Sequence, residues 1–151
     1  MFDVKLVTSR KSSYCGPCCL KMILDYYGIE SNLGMLAKDL GVGVAGCTAA
    51  DMLRVGRAHG LTDMAAYSEP PAEMLTQDRP GIVWWEYNHF IVFCGTNAKG
   101  EAVIANPSRG KYPIDPETFA NKCAKLPDGK YVILCNGTPE DLPAVEEEIN
   151  E

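Results

Sequence analysis

The sequence predicts an α+β domain, with helices in the first half of the chain and antiparallel strands in the second. Up to about residue 60, apolar residues recur at helical spacing. After residue 80 they form short β-branched or aromatic runs bounded by turns. The 151 residues, 46% of them hydrophobic, suffice for one domain with its own core. With no internal repeat or linker, we expect a single domain over residues 1–137 and an acidic tail over residues 138–151.

Three helices are expected before residue 61. The first begins at Cys15 and ends at Gly28, and Pro17 suits its first turn. Its apolar face consists of Cys19, Leu20, Ile23, Leu24 and Tyr27. The second is expected to begin at a Ser31 cap and to end at Gly41, and the third to occupy residues 48–60.

Strands follow a short helical turn led by Pro70 and Pro71. The expected strands are Ile82–Trp85, Phe90–Cys94, Ala102–Ala105 and Tyr131–Cys135. Residues 97–100, Asn-Ala-Lys-Gly, are typical of a hairpin tip between the second and third of these strands. The pattern therefore predicts a helical half packed on an antiparallel sheet.

The net charge of −6 comes from the predicted tail rather than from the domain. The tail holds six of the twenty acidic residues and no Lys or Arg, which leaves fourteen acids against fourteen bases. Its acidic residues are Glu140, Asp141, Glu146, Glu147, Glu148 and Glu151. A domain with balanced charge gives no reason to expect nucleic acid or an anionic membrane as a partner.

The cysteine content and the hydropathy pattern indicate a cytoplasmic protein. No signal peptide is evident, and no run approaches the roughly 20 apolar residues needed to span a bilayer. Seven cysteines, an odd number, argue against a disulfide framework. Since no second pair of ligands stands at zinc-site spacing, we expect neither a metal nor another cofactor.

The segment Tyr14–Leu20 supports two different chemistries. Cys15 and Cys18, separated by Gly-Pro, match the redox pair of a thiol-disulfide oxidoreductase. Cys15 alone, at the start of an apolar helix, matches the nucleophile of a cysteine peptidase. In both cases the helix N-terminus favours the thiolate.

A thiol nucleophile needs a base, and the chain contains two histidines. His59 stands at a helix end, where a surface side chain capping carbonyl groups is the simpler interpretation. His89 enters a strongly apolar strand. The hairpin centred between residues 98 and 99 brings His89 close to Asn106, whose side-chain oxygen can accept from one imidazole nitrogen. Cys15, His89 and Asn106 thus predict a Cys-His-Asn arrangement.

From about residue 9 to residue 135 the chain resembles the papain-like cysteine peptidases that remove double-glycine leaders from bacteriocin precursors. The matching segments are residues 14–23 (YCGPCCLKMI), 26–28 (YYG), 46–48 (GCT), 59–61 (HGL), 88–92 (NHFIV) and 104–107 (IANP), with Gly110. The resemblance implies a papain-like fold. It also implies Cys15 as nucleophile, His89 as general base and acid, Asn106 as the residue that orients it, and a thioester intermediate.

Two positions depart from the family pattern. Asn106 stands where the family usually has Asp, so the imidazolium loses a neighbouring negative charge. Ser9 stands where the family has the Gln of the oxyanion hole, six residues before the nucleophile. We therefore expect Ser9 and the Cys15 backbone to form the oxyanion hole, each donor typically being worth about 2.7–4 kcal/mol of the barrier.

The expected substrate is a peptide or protein, and Trp84, Trp85 and Tyr87 are candidates to line its groove. Family members are usually fused to a membrane-spanning ATP-driven exporter, whereas we expect this chain to be a free-standing domain. Neither their leader specificity nor ATP binding is therefore carried over from the resemblance. Two alternatives stay open: a catalytically silent peptide-binding relative, and a thiol-disulfide oxidoreductase using Cys15 and Cys18. The second would require a strand-helix-strand unit before the cysteine pair, for which only fourteen residues are present.

Overall fold

The computed structural model describes residues 1–44, 46–86 and 89–137, and the predicted acidic tail lies outside them. The α-helices of the described part are α1 (Cys15–Tyr26), α2 (Leu33–Leu40), α3 (Ala49–Ala58), α4 (Pro71–Met74) and α5 (Pro116–Lys122). Its strands are β1 (Met64–Tyr67), β2 (Gly81–Trp85), β3 (His89–Thr96), β4 (Ala102–Asn106), β5 (Gly110–Ile114) and β6 (Ile133–Asn136). A 3-10 helix, Ser12–Tyr14, leads directly into α1.

The strands form one sheet in the order β1-β6-β2-β3-β4-β5, and every neighbouring pair is antiparallel. The predicted α+β class is therefore confirmed. The β3–β4 hairpin pairs Val92 with Ala105 and Phe93 with Ile104, the register expected for a tip centred between residues 98 and 99. A bulge between Phe93 and Thr96 shifts the pairing only near the tip.

Several elements escaped the sequence analysis. The strands β1 and β5 lie at the two edges of the sheet, and both have weak strand signals: one is Met-Ala-Ala-Tyr, and the other contains Gly110 and Pro113. Pro is tolerated in edge strands because a ladder hydrogen bond need not be made there. The helix α5 carries a signal that was not used, the Asp115 cap followed by Pro116 at the first helical position.

The predicted cap of α2 was one residue early. Asn32 is the N-cap, and its side-chain oxygen accepts a 3.1 Å hydrogen bond from the backbone N–H of Met35. Ser31 instead has a buried hydroxyl with no hydrogen-bond partner in the described part of the chain. Asn and Ser are about equally good N-caps, so the sequence alone does not separate the two positions.

The sheet is covered on both faces, whereas the sequence analysis placed helices on one. On the first face, α1, α2 and α3 bury Leu20 and Ile23 against Val92 and other sheet residues. On the second face, α4 and α5 close a smaller core, in which the ring of Phe119 lies 5.7 Å from Trp85 and 5.8 Å from Phe93, centroid to centroid. The central strands are thus fixed from both sides.

The N-terminal end of α1 is packed tightly in the first core. Gly16 is buried there, and a methyl group at this position would overlap the Sγ of Cys47. Cys18 and Cys19 are 0% exposed, and Cys19 belongs to the predicted apolar helix face. The backbone next to Cys15 therefore has little freedom to move, because protein interiors are close-packed.

We expect Gly16→Ala to lower the free energy of unfolding by about 1–3 kcal/mol, because the added methyl group overpacks the contact with Cys47. Ala has a higher helix propensity than Gly, which by itself would stabilise α1. A loss of stability in Gly16→Ala can therefore be attributed to the overlap of the methyl group with Cys47. Chemical denaturation of the wild type, Gly16→Ala, Cys47→Ala and the double variant measures it. The double variant should recover most of the loss, since Cys47→Ala removes the sulfur. An unchanged stability of Gly16→Ala would contradict this packing.

Candidate active site

Cys15 is the first residue of α1, and its side chain is 8% exposed. Burial raises the pKa of the thiol, but hydrogen bonds to its sulfur from the side chain of His89 and from the backbone N–H groups of Phe90 and Gly16 act in the opposite direction. The imidazole charge of His89 adds to them, and the net pKa is lowered from the ordinary 9.0. Donors from a helix start and from a strand thus converge on one sulfur and favour its thiolate.

His89 is the half-buried first residue of β3. Its Nε2 lies 2.8 Å from the Oδ1 of Asn106, which leaves Nδ1 for the thiol. The hydrogen bond with Cys15 raises the pKa of His89 most strongly, burial lowers it, and the Asn106 contact and the charge of Glu86 raise it further, for a net rise above 6.5. A lowered thiol pKa and a raised imidazole pKa both shift the balance toward a thiolate–imidazolium pair.

Asn106 ends β4 and is 2% exposed. Its Oδ1 accepts three hydrogen bonds: one from His89 Nε2, one from the backbone N–H of Ser108 at 3.1 Å, and one from Ser108 Oγ at 2.9 Å. Because a backbone N–H can only donate, the atom that faces it must be the amide oxygen. The same oxygen therefore requires a proton on His89 Nε2, which fixes the tautomer that leaves Nδ1 free for Cys15.

The three side chains expected from the sequence are thus brought together in the order Cys15, His89, Asn106. In a comparison with known protein families, residues 3–126 match the Peptidase C39 family. The chain belongs to the Peptidase C39 family. It is a cysteine-type peptidase, and the resemblance drawn from its sequence motifs is confirmed.

Two curated relatives share the matching region. The chain is 25% identical over 117 residues to the colicin V secretion/processing ATP-binding protein CvaB of Escherichia coli. It is 24% identical over 117 residues to the probable microcin-H47 secretion/processing ATP-binding protein MchF of the same organism. Each alignment covers 78% of this chain but 16% of the relative. The similarity therefore concerns one part of much longer proteins.

Two solved structures share the fold. A double glycine motif protease from an AMS/PCAT transporter, solved in complex with its leader peptide, has a TM-score of 0.75 and 26% identity, covering 88% of this chain and 91% of that one. The peptidase domain of Streptococcus ComA, a bifunctional ABC transporter, has a TM-score of 0.68 and 21% identity, covering 87% and 98%. The predicted papain-like architecture is confirmed by these neighbours.

Ser108 is a site residue that the sequence analysis missed. Its Oγ lies 2.9 Å from Asn106 Oδ1 and 3.5 Å from His89 Nε2, so it borders the same hydrogen-bond network. A signal was available, because an Asn often accepts a hydrogen bond from the backbone N–H two residues later in a turn. Asn-Pro-Ser in this C39 peptidase forms such a turn, which holds the amide oxygen in place.

The other thiols differ from Cys15. Burial, together with the Cys15 charge, raises the pKa of Cys18 to about 11 and that of Cys47 to about 12. All seven cysteines are free, so the structure contains no Cys15–Cys18 disulfide. The second histidine of the chain is also elsewhere, since His59 ends α3 and its Nε2 lies 2.9 Å from Asp39 Oδ2. These observations favour a single nucleophile over a redox pair.

The predicted substrate groove needs correction. Trp85 is 1% exposed and packs with Phe119 in the second core, on the sheet face opposite α1, so it does not line a groove. Trp84 is half-buried against the first core, the cluster that contains Cys15, and it stays a candidate. Tyr87 lies outside the described residues. Adjacent strand residues face opposite sides, so at most one tryptophan of the pair could border the site.

Ser9 lies in the segment before the 3-10 helix, where its Oγ accepts a 3.1 Å hydrogen bond from the backbone N–H of Lys11. Its hydroxyl proton is therefore still available to another acceptor. Ser9 lines an open cleft together with Ser108. Its part in an oxyanion hole stays a prediction.

Neither a metal site nor a membrane span is seen in the described part of the chain. Within residues 1–44, 46–86 and 89–137, no three His, Cys, Asp or Glu side chains are grouped so as to hold a metal ion. None of the helices described there has the length and apolarity needed to cross a bilayer.

We expect Asn106→Ala to narrow the pH range of activity from its alkaline side. A thiolate–imidazolium pair works above the pKa of the thiol and below that of the imidazolium. The hydrogen bond that His89 donates to Asn106 Oδ1 helps to raise the pKa of His89, so its loss moves the alkaline limb of kcat/KM to lower pH. Asn106→Asp is the matched variant and should move that limb to higher pH. An alkaline limb at the same pH in all three proteins would contradict the assignment.

Proposed function

We propose that this C39 peptidase cleaves a peptide precursor after a double-glycine leader, through Cys15, His89 and Asn106 and a thioester intermediate. The observation that carries the proposal is the continuous hydrogen-bond chain from the Cys15 sulfur through His89 to Asn106, with opposite pKa shifts at the thiol and the imidazole. A nucleophile, a base and an orienting group in hydrogen-bond contact are what acyl transfer through a thiol requires.

In the first half-reaction the Cys15 thiolate attacks the scissile carbonyl carbon, and the carbonyl oxygen becomes an oxyanion. The imidazolium of His89 then donates its Nδ1 proton to the leaving amine. The carbon–nitrogen bond breaks, and the acyl group stays on the sulfur as a thioester. Because Cys15 already holds the negative charge, no proton has to leave the thiol during the attack.

In the second half-reaction neutral His89 accepts a proton from water through Nδ1, and the resulting hydroxide attacks the thioester. The thiolate leaves, and the pair returns to its starting charge state. Asn106 takes no proton. It positions the ring by accepting from Nε2, and Ser108 in turn holds the Asn106 oxygen from two donors.

The oxyanion is assigned to the backbone N–H of Cys15 and to Ser9. Cys15 is at the first position of α1, where the partial positive charge of the helix N-terminus favours a developing anion. Ser9 has a hydroxyl proton that is not committed to Lys11. Ser9 would thus provide a hydroxyl donor on a shorter side chain in place of the amide donor of Gln.

Glycine at the acyl side fits the surroundings of the nucleophile. Cys15 is 8% exposed, so a scissile carbonyl that reaches the sulfur comes into close contact with the residues around it. A residue without a Cβ allows the closest backbone approach. A transporter protease with 26% identity to this chain was solved with its leader peptide and is named for the double glycine motif. The family match over residues 3–126 supports residues 1–137 as the catalytic unit, with residues 138–151 outside it.

Cleavage of a synthetic peptide that contains an internal Gly-Gly, followed by mass spectrometry, tests the function. We expect the wild type to cut after the second glycine, Cys15→Ala to have no activity, and His89→Ala to lose about 10²–10⁴-fold. Cys18→Ala and His59→Ala are matched controls that remove the other candidate thiol and the other histidine, and both should retain activity. No cleavage by the wild type, with Cys15 unreactive toward alkylating agents, would leave only the catalytically silent peptide-binding relative.

A further inference from the structure

A cleft of about 680 Å³ opens next to the candidate active site. Residues 8–10, from the N-terminal segment, form one wall, and residues 107–110, from the turn between β4 and β5, form the other. The walls are held together, because Lys111 Nζ donates a 2.7 Å hydrogen bond to the carbonyl oxygen of Val4. The N-terminal segment is also fixed to β3, since Phe2 N–H donates to the Cys94 carbonyl oxygen at 2.7 Å. The cleft is therefore preformed.

All charged residues in and next to the two walls are positively charged. Residues 8–11 and 107–111 contain Arg10, Lys11, Arg109 and Lys111 and no acidic residue, although the domain as a whole is neutral. The two lysines are engaged, Lys11 over the ring of Tyr14 at 4.8 Å and Lys111 on the Val4 carbonyl. The two arginines line the cleft and are exposed. Within the described residues, neither guanidinium group forms a hydrogen bond or an ion pair.

The cleft adjoins the Nε2 edge of the His89 ring, opposite the Nδ1 edge that faces Cys15. Ser108 lines it, and Ser108 Oγ lies 3.5 Å from Nε2 of His89. In the proposed reaction the leaving amine must come within hydrogen-bond reach of the imidazole that protonates it. The substrate chain that follows the scissile bond therefore starts at the Nδ1 edge of His89. Because an extended chain advances about 3.3–3.6 Å per residue, its second residue can reach the cleft at the opposite edge of the ring.

We propose that Arg10 and Arg109 bind a carboxylate in the segment that follows the scissile bond. The inference rests on the proposed peptidase function and specifies its substrate class, a peptide with an anionic group shortly after the cleavage site. A guanidinium group presents paired N–H donors that match the two oxygens of a carboxylate, and two such groups on opposite walls suit a ligand between them. The carboxylate belongs either to an Asp or Glu side chain or to the C-terminus of a short leaving segment.

Three peptides separate these sources. All contain Gly-Gly before the scissile bond. The first has Glu at the second position after it and an amidated C-terminus, the second has Gln there and an amidated C-terminus, and the third has Gln and a free C-terminal carboxylate. Cleavage kinetics are compared for the wild type, for Arg10→Ala/Arg109→Ala, and for the control Lys38→Ala/Lys99→Ala, which removes the same charge from exposed positions outside the cleft.

We expect the wild type and the control to favour a carboxylate-bearing peptide over the fully neutral one by about fivefold in kcat/KM, and the arginine variant to lose this preference. Preference for the Glu peptide assigns the site to a side chain, and preference for the third peptide assigns it to the C-terminus. Equal rates on all three peptides in the wild type, or a preference that survives Arg10→Ala/Arg109→Ala, would overturn the inference.

If no peptide is cleaved, the proposed peptidase function fails. A second measurement then tests the anion site without peptide cleavage. Cys15 is alkylated with N-bromoacetylglycine, which carries a carboxylate, and with its neutral counterpart N-bromoacetylglycinamide. The ratio of the two rate constants cancels differences in thiol reactivity. A ratio several-fold lower in the arginine variant than in the wild type and the control supports the anion site. The same ratio in all three proteins rules it out.

Discussion

The hydrogen-bonded contact between Cys15 and His89 is the interaction on which the candidate site depends, and it exists only when two distant parts of the chain are packed together. Burial by itself would raise the pKa of the thiol. The pKa of the Cys15 thiol is lowered by hydrogen-bond donors on two elements. These are the His89 side chain and the Phe90 N–H at the start of β3, and the Gly16 N–H at the start of α1. The apolar contacts between α1 and the sheet therefore also keep these donors close to the Cys15 sulfur.

The rest of the fold keeps the start of α1 next to the start of β3. The sheet is covered on both faces, so β3 is fixed by α1 on one side and by the Phe119 cluster on the other. The β4 partner strand delivers Asn106, whose oxygen accepts from three donors. A neutral amide in this position orients the ring without adding a negative charge, so the imidazolium is stabilised mainly by the thiolate itself. The cationic cleft borders this hydrogen-bond network at Ser108.

Local patterns were sufficient to predict the three central residues, whereas features decided by tertiary packing were not predictable. The start of α1 followed from Gly-Pro after Cys15, and the approach of Asn106 to His89 followed from the hairpin centre, because antiparallel register is set by the turn. Strand alternation shows that Trp84 and Trp85 face opposite sides, but not which side carries the second core, so Trp85 was misassigned. The edge strands β1 and β5 have weak intrinsic signals and form because neighbouring strands offer unpaired backbone groups.

The central claim is most directly tested by a pH titration of thiolate ultraviolet absorbance, taken as the difference between the wild type and Cys15→Ala. The other six thiols have raised pKa values and stay protonated in the relevant range. We expect one thiolate to form with a pKa below 9.0, the ordinary value of the group, and His89→Ala to shift this titration to higher pH. A difference signal that develops only above pH 9.0, or that is unaffected by His89→Ala, would contradict it.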